Sequence, residues 1–253
     1  MNRFLALAFG TVSYLIFFGT FLYGIGFVAN LPLPFTVDSG TPGPVGLAFA
    51  VNTALLVLFG LQHSVMARPG FKEVWTRAVP KPVERSTYVL FSSIALMALF
   101  AFWQPLPQAV WQVTDPTLRT IAWSVLALGV GVILLSTFLI DHFDLFGLRQ
   151  VVLYFRGRPY AEKRFQTPML YRHIRHPLYV GWFLFCWATP DMTVGHALFA
   201  AAMTGYMLIA IVFEERDLAA ALGEPYQTWR AQTPAFVPKL RSRGRGRTAA
   251  VQG

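Results

Sequence analysis

Tyr171-Arg172-His173-Ile174-Arg175-His176-Pro177-Leu178-Tyr179-Val180-Gly181 opens an apolar segment that ends at Glu214-Glu215-Arg216-Asp217-Leu218. Between these two runs, Asp191 is the only side chain with a full charge at neutral pH. Ionisable clusters on both flanks of such a segment are costly beside lipid, which marks them as candidate functional groups. The segment decides the fold, because its flanks lie either on one side of a membrane or on opposite sides.

The rest of the chain answers that question. Of 253 residues, 55% are hydrophobic and 13% charged, with a mean hydropathy of +0.49. Four further apolar runs, 4–28, 45–66, 87–103 and 120–140, each cover or nearly cover a hydrocarbon core of about 30 Å at about 1.5 Å per residue. They are apolar all round, without the alternation of barrel strands. The first follows Arg3 and lacks a small-x-small cleavage site, so it reads as an anchor and not as a signal peptide. The expected fold is all-α: a polytopic transmembrane helical bundle with four clear spans and a C-terminal helical hairpin, giving five or six membrane segments. Residues 1–240 form one domain, and 241–253 form a basic tail.

The connecting loops alternate in charge. Residues 29–44 and 104–118 contain no Lys or Arg, whereas 67–86 contain five and 141–177 contain seven. With Arg3 and the seven after 214, 20 of the 21 basic residues fall on one side, Arg119 being the exception. The positive-inside rule puts that side, with both termini, in the cytoplasm. The net charge of +9 is thereby explained by topology and calls for no nucleic acid. The hairpin then starts and ends on the cytoplasmic side and crosses an even number of times. Thr189-Pro190-Asp191-Met192-Thr193 is its turn. Its first arm is too short for a full span. Its second starts near Gly195 and continues to Leu222, with Gly223 as a C-cap. The tail Arg241-Ser242-Arg243-Gly244-Arg245-Gly246-Arg247 suits anionic lipid head groups.

Polar residues gather at the cytoplasmic helix ends. These are Gln62-His63-Ser64, Asp141-His142-Phe143-Asp144, the Arg-His run and Glu214-Glu215. Four helix ends converging in this way suggest a pocket open to soluble cofactors; scattered interfacial anchors are the plainer reading. On a helix, Arg172, Arg175 and His176 share a face with Tyr179 one turn on, and Pro177 suits a first turn. That group favours a carboxylate or phosphate. Glu214 and Glu215 can pair with Arg172, Arg175 or a ligand ammonium. His142, Asp141 and His63 are the candidate acid/base groups. No His or Cys spacing supports a metal site. Cys186, the lone cysteine, reads as a small buried hydrophobe. Gly24-Ile25-Gly26 and Gly129-Val130-Gly131 sit inside spans and read as packing glycines, not a dinucleotide fingerprint. Asn52 is the one conspicuous polar residue deep in a span, and transport usually needs more.

Arg175-His176-Pro177-x-Tyr179-x-Gly181, the hairpin, Glu214-Glu215-x-x-Leu218, Gly223-x-x-Tyr226 and Pro234/Pro238 resemble the C-terminal signature of integral-membrane methyltransferases. That group includes isoprenylcysteine carboxyl methyltransferases and phospholipid N-methyltransferases. Leu61-Gln62-His63-Ser64-Val65-Met66-Ala67, Pro82-Val83-Glu84-Arg85-Ser86-Thr87-Tyr88 and Asp144-Leu145-Phe146-Gly147-Leu148-Arg149-Gln150-Val151 resemble its nurim-like branch. Bacterial members of that branch methylate methanethiol to dimethyl sulfide, a reaction of the bacterial inner membrane. NnrU-like membrane proteins share the Gln-His-Ser element.

The resemblance implies S-adenosylmethionine (SAM) as methyl donor, held within about 141–238. It implies that His176 and Tyr179 contact SAM, and that Arg175, Gly181 and Glu215 shape its pocket, with Tyr171, Pro177 and Glu214 alongside. The implied acceptor is a small volatile thiol. A larger acceptor, such as a prenylcysteine carboxylate or a phospholipid amine, and a non-catalytic membrane role are the alternatives.

Overall fold

The computed structural model describes residues 1–161 and 165–239. The Arg-Gly tail, Lys163 and Arg164 lie outside the described residues. Among the described residues, five helices are long and apolar enough to cross a membrane: α1 (Arg3–Val28), α2 (Val45–Ala67), α4 (Lys81–Phe102), α5 (Pro116–Ile140) and α9 (Val194–Leu222). The short α3 (Pro69–Trp75) lies between α2 and α4. After α5 come α6 (His142–Leu145) and α7 (Leu148–Phe155), then a 3₁₀ turn, Met169–Arg172. The hairpin is α8 (Pro177–Trp187) and α9, and α10 (Glu224–Gln232) closes the described fold. The protein is therefore an integral membrane helical bundle, as the apolar runs require.

The helix boundaries follow local chemistry. Asn2 caps α1 by accepting from Phe4 N, Asp115 caps α5 through Leu118 N, and Thr193 caps α9 through His196 N. Prolines stand in the first turns of α4, α5, α8 and α10, where their missing N–H costs nothing. Gly223, with φ +62° and ψ −139°, ends α9 in a positive-φ conformation that a side chain disfavours and glycine tolerates. The third apolar run starts at Lys81, not at 87, because Pro80-Lys81-Pro82 nucleates the helix ahead of its apolar part.

The hairpin has the expected unequal arms. With 11 residues, α8 is about 16 Å long; with 29, α9 reaches about 44 Å and extends past the hydrocarbon. A short arm is tolerated only when packed on protein. α8 packs closely on α5 through two glycines. A Cβ on Gly181 would sit 2.8 Å from Ile133 N and 2.9 Å from Gly129 O; one on Gly129 would sit 2.7 Å from Phe185 N. Gly129 is thus a packing glycine, while Gly131 faces open space.

The loops at the end opposite the N-terminus carry structure that hydropathy does not reveal. β1 (Ala109–Gln112) pairs antiparallel with β2 (Asp191–Thr193), joining the α4–α5 loop to the hairpin turn. Arg119, the exception to the charge segregation, makes a two-pronged pair with Asp191 at 2.8 and 2.9 Å. Asp191 is held below the usual carboxylate range chiefly by that hydrogen bond. Asn52 exchanges two 2.8 Å hydrogen bonds with the Gln104 backbone, which accounts for a buried amide without a ligand. His196 is also structural: its Nε2 donates to Cys186 O at 2.9 Å, tying the two hairpin arms together. Cys186 is fully buried.

Replacing Gly181 by Ala should destabilise the bundle by about 1–3 kcal/mol, because neither facing backbone can retreat without separating α5 from α8. Thermal unfolding in detergent checks this. The same change at Gly131 should leave the midpoint within the error of measurement.

Candidate active site

Two polar groups meet near the end of the bundle that carries the N-terminus. The first is an ion cluster around Glu215, a residue of α9 that is 5% exposed. One carboxylate oxygen accepts from Arg175 Nε at 2.7 Å and His176 Nε2 at 2.9 Å, and the other from Arg230 Nε at 2.8 Å. A carboxylate only accepts, so the network assigns the His176 proton to Nε2. Arg175 also donates to the carbonyls of Arg230 and Thr233. Its backbone N–H donates to Pro234 O and that of His176 to Ala235 O, so the segment after α10 straps the entry to α8. One carboxylate thereby joins α9, α10 and the start of α8.

Tyr179, one turn into α8, donates to Glu214 Oε2 at 2.8 Å. Pro177 is buried as the first residue of α8, and Gly181 lies in the α5–α8 contact. Tyr171 precedes them, its carbonyl accepting from Trp229 Nε1. Burial and Glu214 push the Tyr171 phenol upward. Tyr226 is almost fully buried among Phe165 and Trp229, and burial pushes its phenol up to about 12. Its hydroxyl has no hydrogen-bond partner among the described residues. Arg172 does not join this group. The 3₁₀ turn ends there, His176 has φ −124° and ψ 57°, and the helical face expected for 172, 175 and 176 is not formed. Arg172 is exposed.

The second group lines a central cavity of about 320 Å³ bounded by α1, α2, α4, α5, α6, α8 and α9. His63, Arg85, Tyr88, Ser92, Thr137, His142, Tyr179 and Tyr206 contribute to its wall, which is otherwise aromatic and aliphatic. His63 sits between Ser92 Oγ, 3.0 Å from Nδ1, and Tyr88 Oη, 2.9 Å from Nε2. The Arg85 guanidinium lies 5.7 Å from the Tyr88 ring centre. His142 contacts Thr137 Oγ1 through Nδ1 and Tyr14 Oη through Nε2, both at 2.9 Å. Thr137 gives its only hydrogen to Leu134 O, so Nδ1 carries the imidazole proton and Nε2 accepts from Tyr14. Burial lowers the His142 pKa below the ordinary value, although Asp141 opposes the shift. Asp141 caps α6, accepting from Asp144 N, and is not part of the cavity wall. Tyr179 belongs to both groups, its ring in the cavity wall and its hydroxyl on Glu214.

Comparison with known proteins sharpens this picture. The chain is 50% identical over 238 residues to the methanethiol S-methyltransferase of Mycobacterium tuberculosis, covering 94% of this chain and 98% of that one. It is 49% identical over 238 residues to that of Crocosphaera subtropica, covering 94% and 93%. The chain belongs to the methanethiol S-methyltransferase family. Nurim of Xenopus laevis is a more distant relative, 32% identical over 192 residues, covering 67% of this chain and 62% of that one. No family model and no solved structure matches the chain.

The sequence brought forward most of the ion cluster but missed Arg230, and in the cavity it missed Arg85, Tyr88, Ser92, Thr137 and Tyr206. Arg85 and Tyr88 had a signal, the Pro82–Tyr88 element that resembles the nurim-like branch. Tyr206 and Arg230 had none, since a lone Tyr in a span and a lone Arg in a polar helix are commonplace.

Two outcomes follow from the geometry. Glu215→Gln leaves two guanidinium groups without their carboxylate and should cost roughly 2–3 kcal/mol, less than a fully buried pair because Arg230 is 48% exposed. Equilibrium unfolding in micelles measures it. The second concerns pH. Folded His142 titrates below its unfolded value of about 6.5, so its neutral form is the stabilised one. The unfolded chain takes up this proton first, and stability should fall as pH drops below about 6.5. His142→Gln should flatten that part of the stability curve.

Proposed function

We propose that this protein transfers a methyl group from SAM to the sulfur of methanethiol, giving dimethyl sulfide and S-adenosylhomocysteine. The observation that carries the reading is the junction at Tyr179, where an apolar cavity with a polar corner adjoins a buried Arg-His-Glu cluster. The names of the relatives supply the acceptor, and segregation of the basic residues supports a cytoplasmic position for the cluster.

The residues present fit a SAM molecule. Its carboxylate matches Arg175 or Arg230, its ammonium matches Glu214, and Tyr171 and Tyr179 offer rings to a sulfonium. The Tyr226 hydroxyl, buried without a partner among the described residues, is a hydrogen-bonding position in the same neighbourhood. Glu215 is already committed to three donors, two of them guanidinium groups, so its role is to hold Arg175, His176 and the 234–235 strap in place. When bound, SAM supplies an electrophilic methyl carbon and a neutral thioether leaving group.

The chain's own groups then position and deprotonate the acceptor. The thiolate is the reactive form. Arg85 at the cavity corner favours the anion, and His63 accepts the thiol proton, with His142 as the second imidazole in the same wall. The sulfur lone pair forms the new S–C bond as the donor C–S bond breaks, and those electrons remain on the donor sulfur. Apolar walls exclude water, so alignment is the main source of rate.

Purified protein with SAM and methanethiol should release dimethyl sulfide into the headspace. His176→Ala should reduce kcat/KM by at least tenfold, mainly through KM for SAM. Arg85→Gln should lower kcat by about 10²-fold, with the loss shrinking as pH rises and the thiolate forms unaided. Wild-type activity at the level of an Arg85→Gln/His63→Gln double variant would remove the assigned corner.

A further inference from the structure

We infer that the acceptor class of this enzyme extends beyond methanethiol to elongated apolar thiols, with their substituent running along the bundle axis in the central cavity. This inference rests on the proposed methyl transfer and concerns the same site.

Size is the first observation. A cavity of about 320 Å³ reaches the range that holds drug-sized ligands, whereas methanethiol has two heavy atoms. Shape is the second. On α4 the wall runs from Arg85 through Tyr88, Ser92 and Leu96 to Phe100, one face of the helix at three- and four-residue steps. At about 1.5 Å per residue that row is about 22 Å long. Polarity is the third. Arg85, His63, Tyr88 and Tyr179 occupy one end, while Leu96 and Phe100 on α4, with Val28 and Phe199 opposite, make the other end apolar. A thiol head at the charged corner with a hydrocarbon tail toward Phe100 matches all three. An ionic or strongly polar tail does not, because nothing at the far end would solvate it.

The route in suits the same ligand. α1 packs on α4 and α7, while α5 packs on α8, and both α1 and α5 line the cavity. Phe18 of α1 belongs to that wall yet is 38% exposed. A thiol dissolved in the bilayer can pass there without crossing water.

The chemistry is unchanged. The acceptor sulfur gains the methyl as the donor C–S bond breaks, and the thiol proton leaves to the corner imidazole and then to solvent.

The test is a chain-length series on the full purified protein with SAM. The acceptors are methanethiol, 1-butanethiol, 1-hexanethiol and 6-mercaptohexanoate, and the methyl sulfides are measured by gas chromatography or mass spectrometry. KM should fall by about fourfold per added methylene in the alkane series, in line with burial of each CH₂. The carboxylate analogue should turn over at least tenfold less efficiently than hexanethiol. In Leu96→Trp, the kcat/KM ratio of hexanethiol to methanethiol should drop at least tenfold. Turnover of methanethiol alone would overturn the inference while leaving the proposed reaction intact. No methyl sulfide from any thiol would overturn both. Turnover of the longer thiols with a ratio unmoved by Leu96→Trp, or equal use of the carboxylate, would remove the tail from the cavity. Should Leu96→Trp fail to fold, the wild-type series still decides.

Discussion

Glu215 is the constraint on which the site depends. A carboxylate on a membrane helix is stable only when its lone pairs are filled, and here Arg175, His176 and Arg230 fill them. Those three residues come from the approach to α8 and from α10, so satisfying one charge fixes three segments. The 234–235 strap then has no choice but to lie across the entry to α8, where the backbone N–H groups of residues 175 and 176 need partners. The local geometry of the candidate donor site is thus set by electrostatic necessity in a poorly solvated place.

The proposed chemistry is placed where this polar cluster touches an apolar space. Tyr179 is the hinge between them, with one side chain serving both through its ring and its hydroxyl. The cavity exists because α1 and α5 lean on different partners, and because Gly129 and Gly181 draw α5 and α8 together on one side. Close approach at the glycines and separation elsewhere are two consequences of the same packing. The opposite end of the bundle does the opposite job. Arg119–Asp191, Asn52–Gln104 and the β1–β2 pair close it with satisfied polar groups. The candidate reactive groups lie at the basic end.

Much of the fold was legible in the sequence. Apolar runs gave the four long spans, and alternation of basic residues required the 178–213 segment to turn back on itself. The turn at 189–193, the short first arm, the cap at Gly223 and the role of Pro177 all follow from local backbone rules. The β1–β2 pair was not legible, since four residues around Trp111 carry no strand signal apart from their partner. The helical face imagined for Arg172, Arg175 and His176 failed for a similar reason. Pairing of residues 175 and 176 with 234 and 235 keeps that stretch out of a regular helix, and local spacing knows nothing of so distant a segment.

For the site, sequence alone determined which residues were too polar for their surroundings. His63, His142, Arg175, His176, Glu214 and Glu215 stood out because charge near hydrocarbon is expensive wherever the helices go. Tertiary structure decided how they divide. It gathered Arg175, His176 and Glu215 into one ion cluster, set His63 and His142 in the wall of a common cavity, and turned Asp141 into a helix cap. It also recruited Tyr206 and Arg230, whose own neighbourhoods in the chain are unremarkable. Burial cost is a property of a residue and its segment, and can be read along the chain. Partnership is a property of distances between segments, and only the packed bundle sets those.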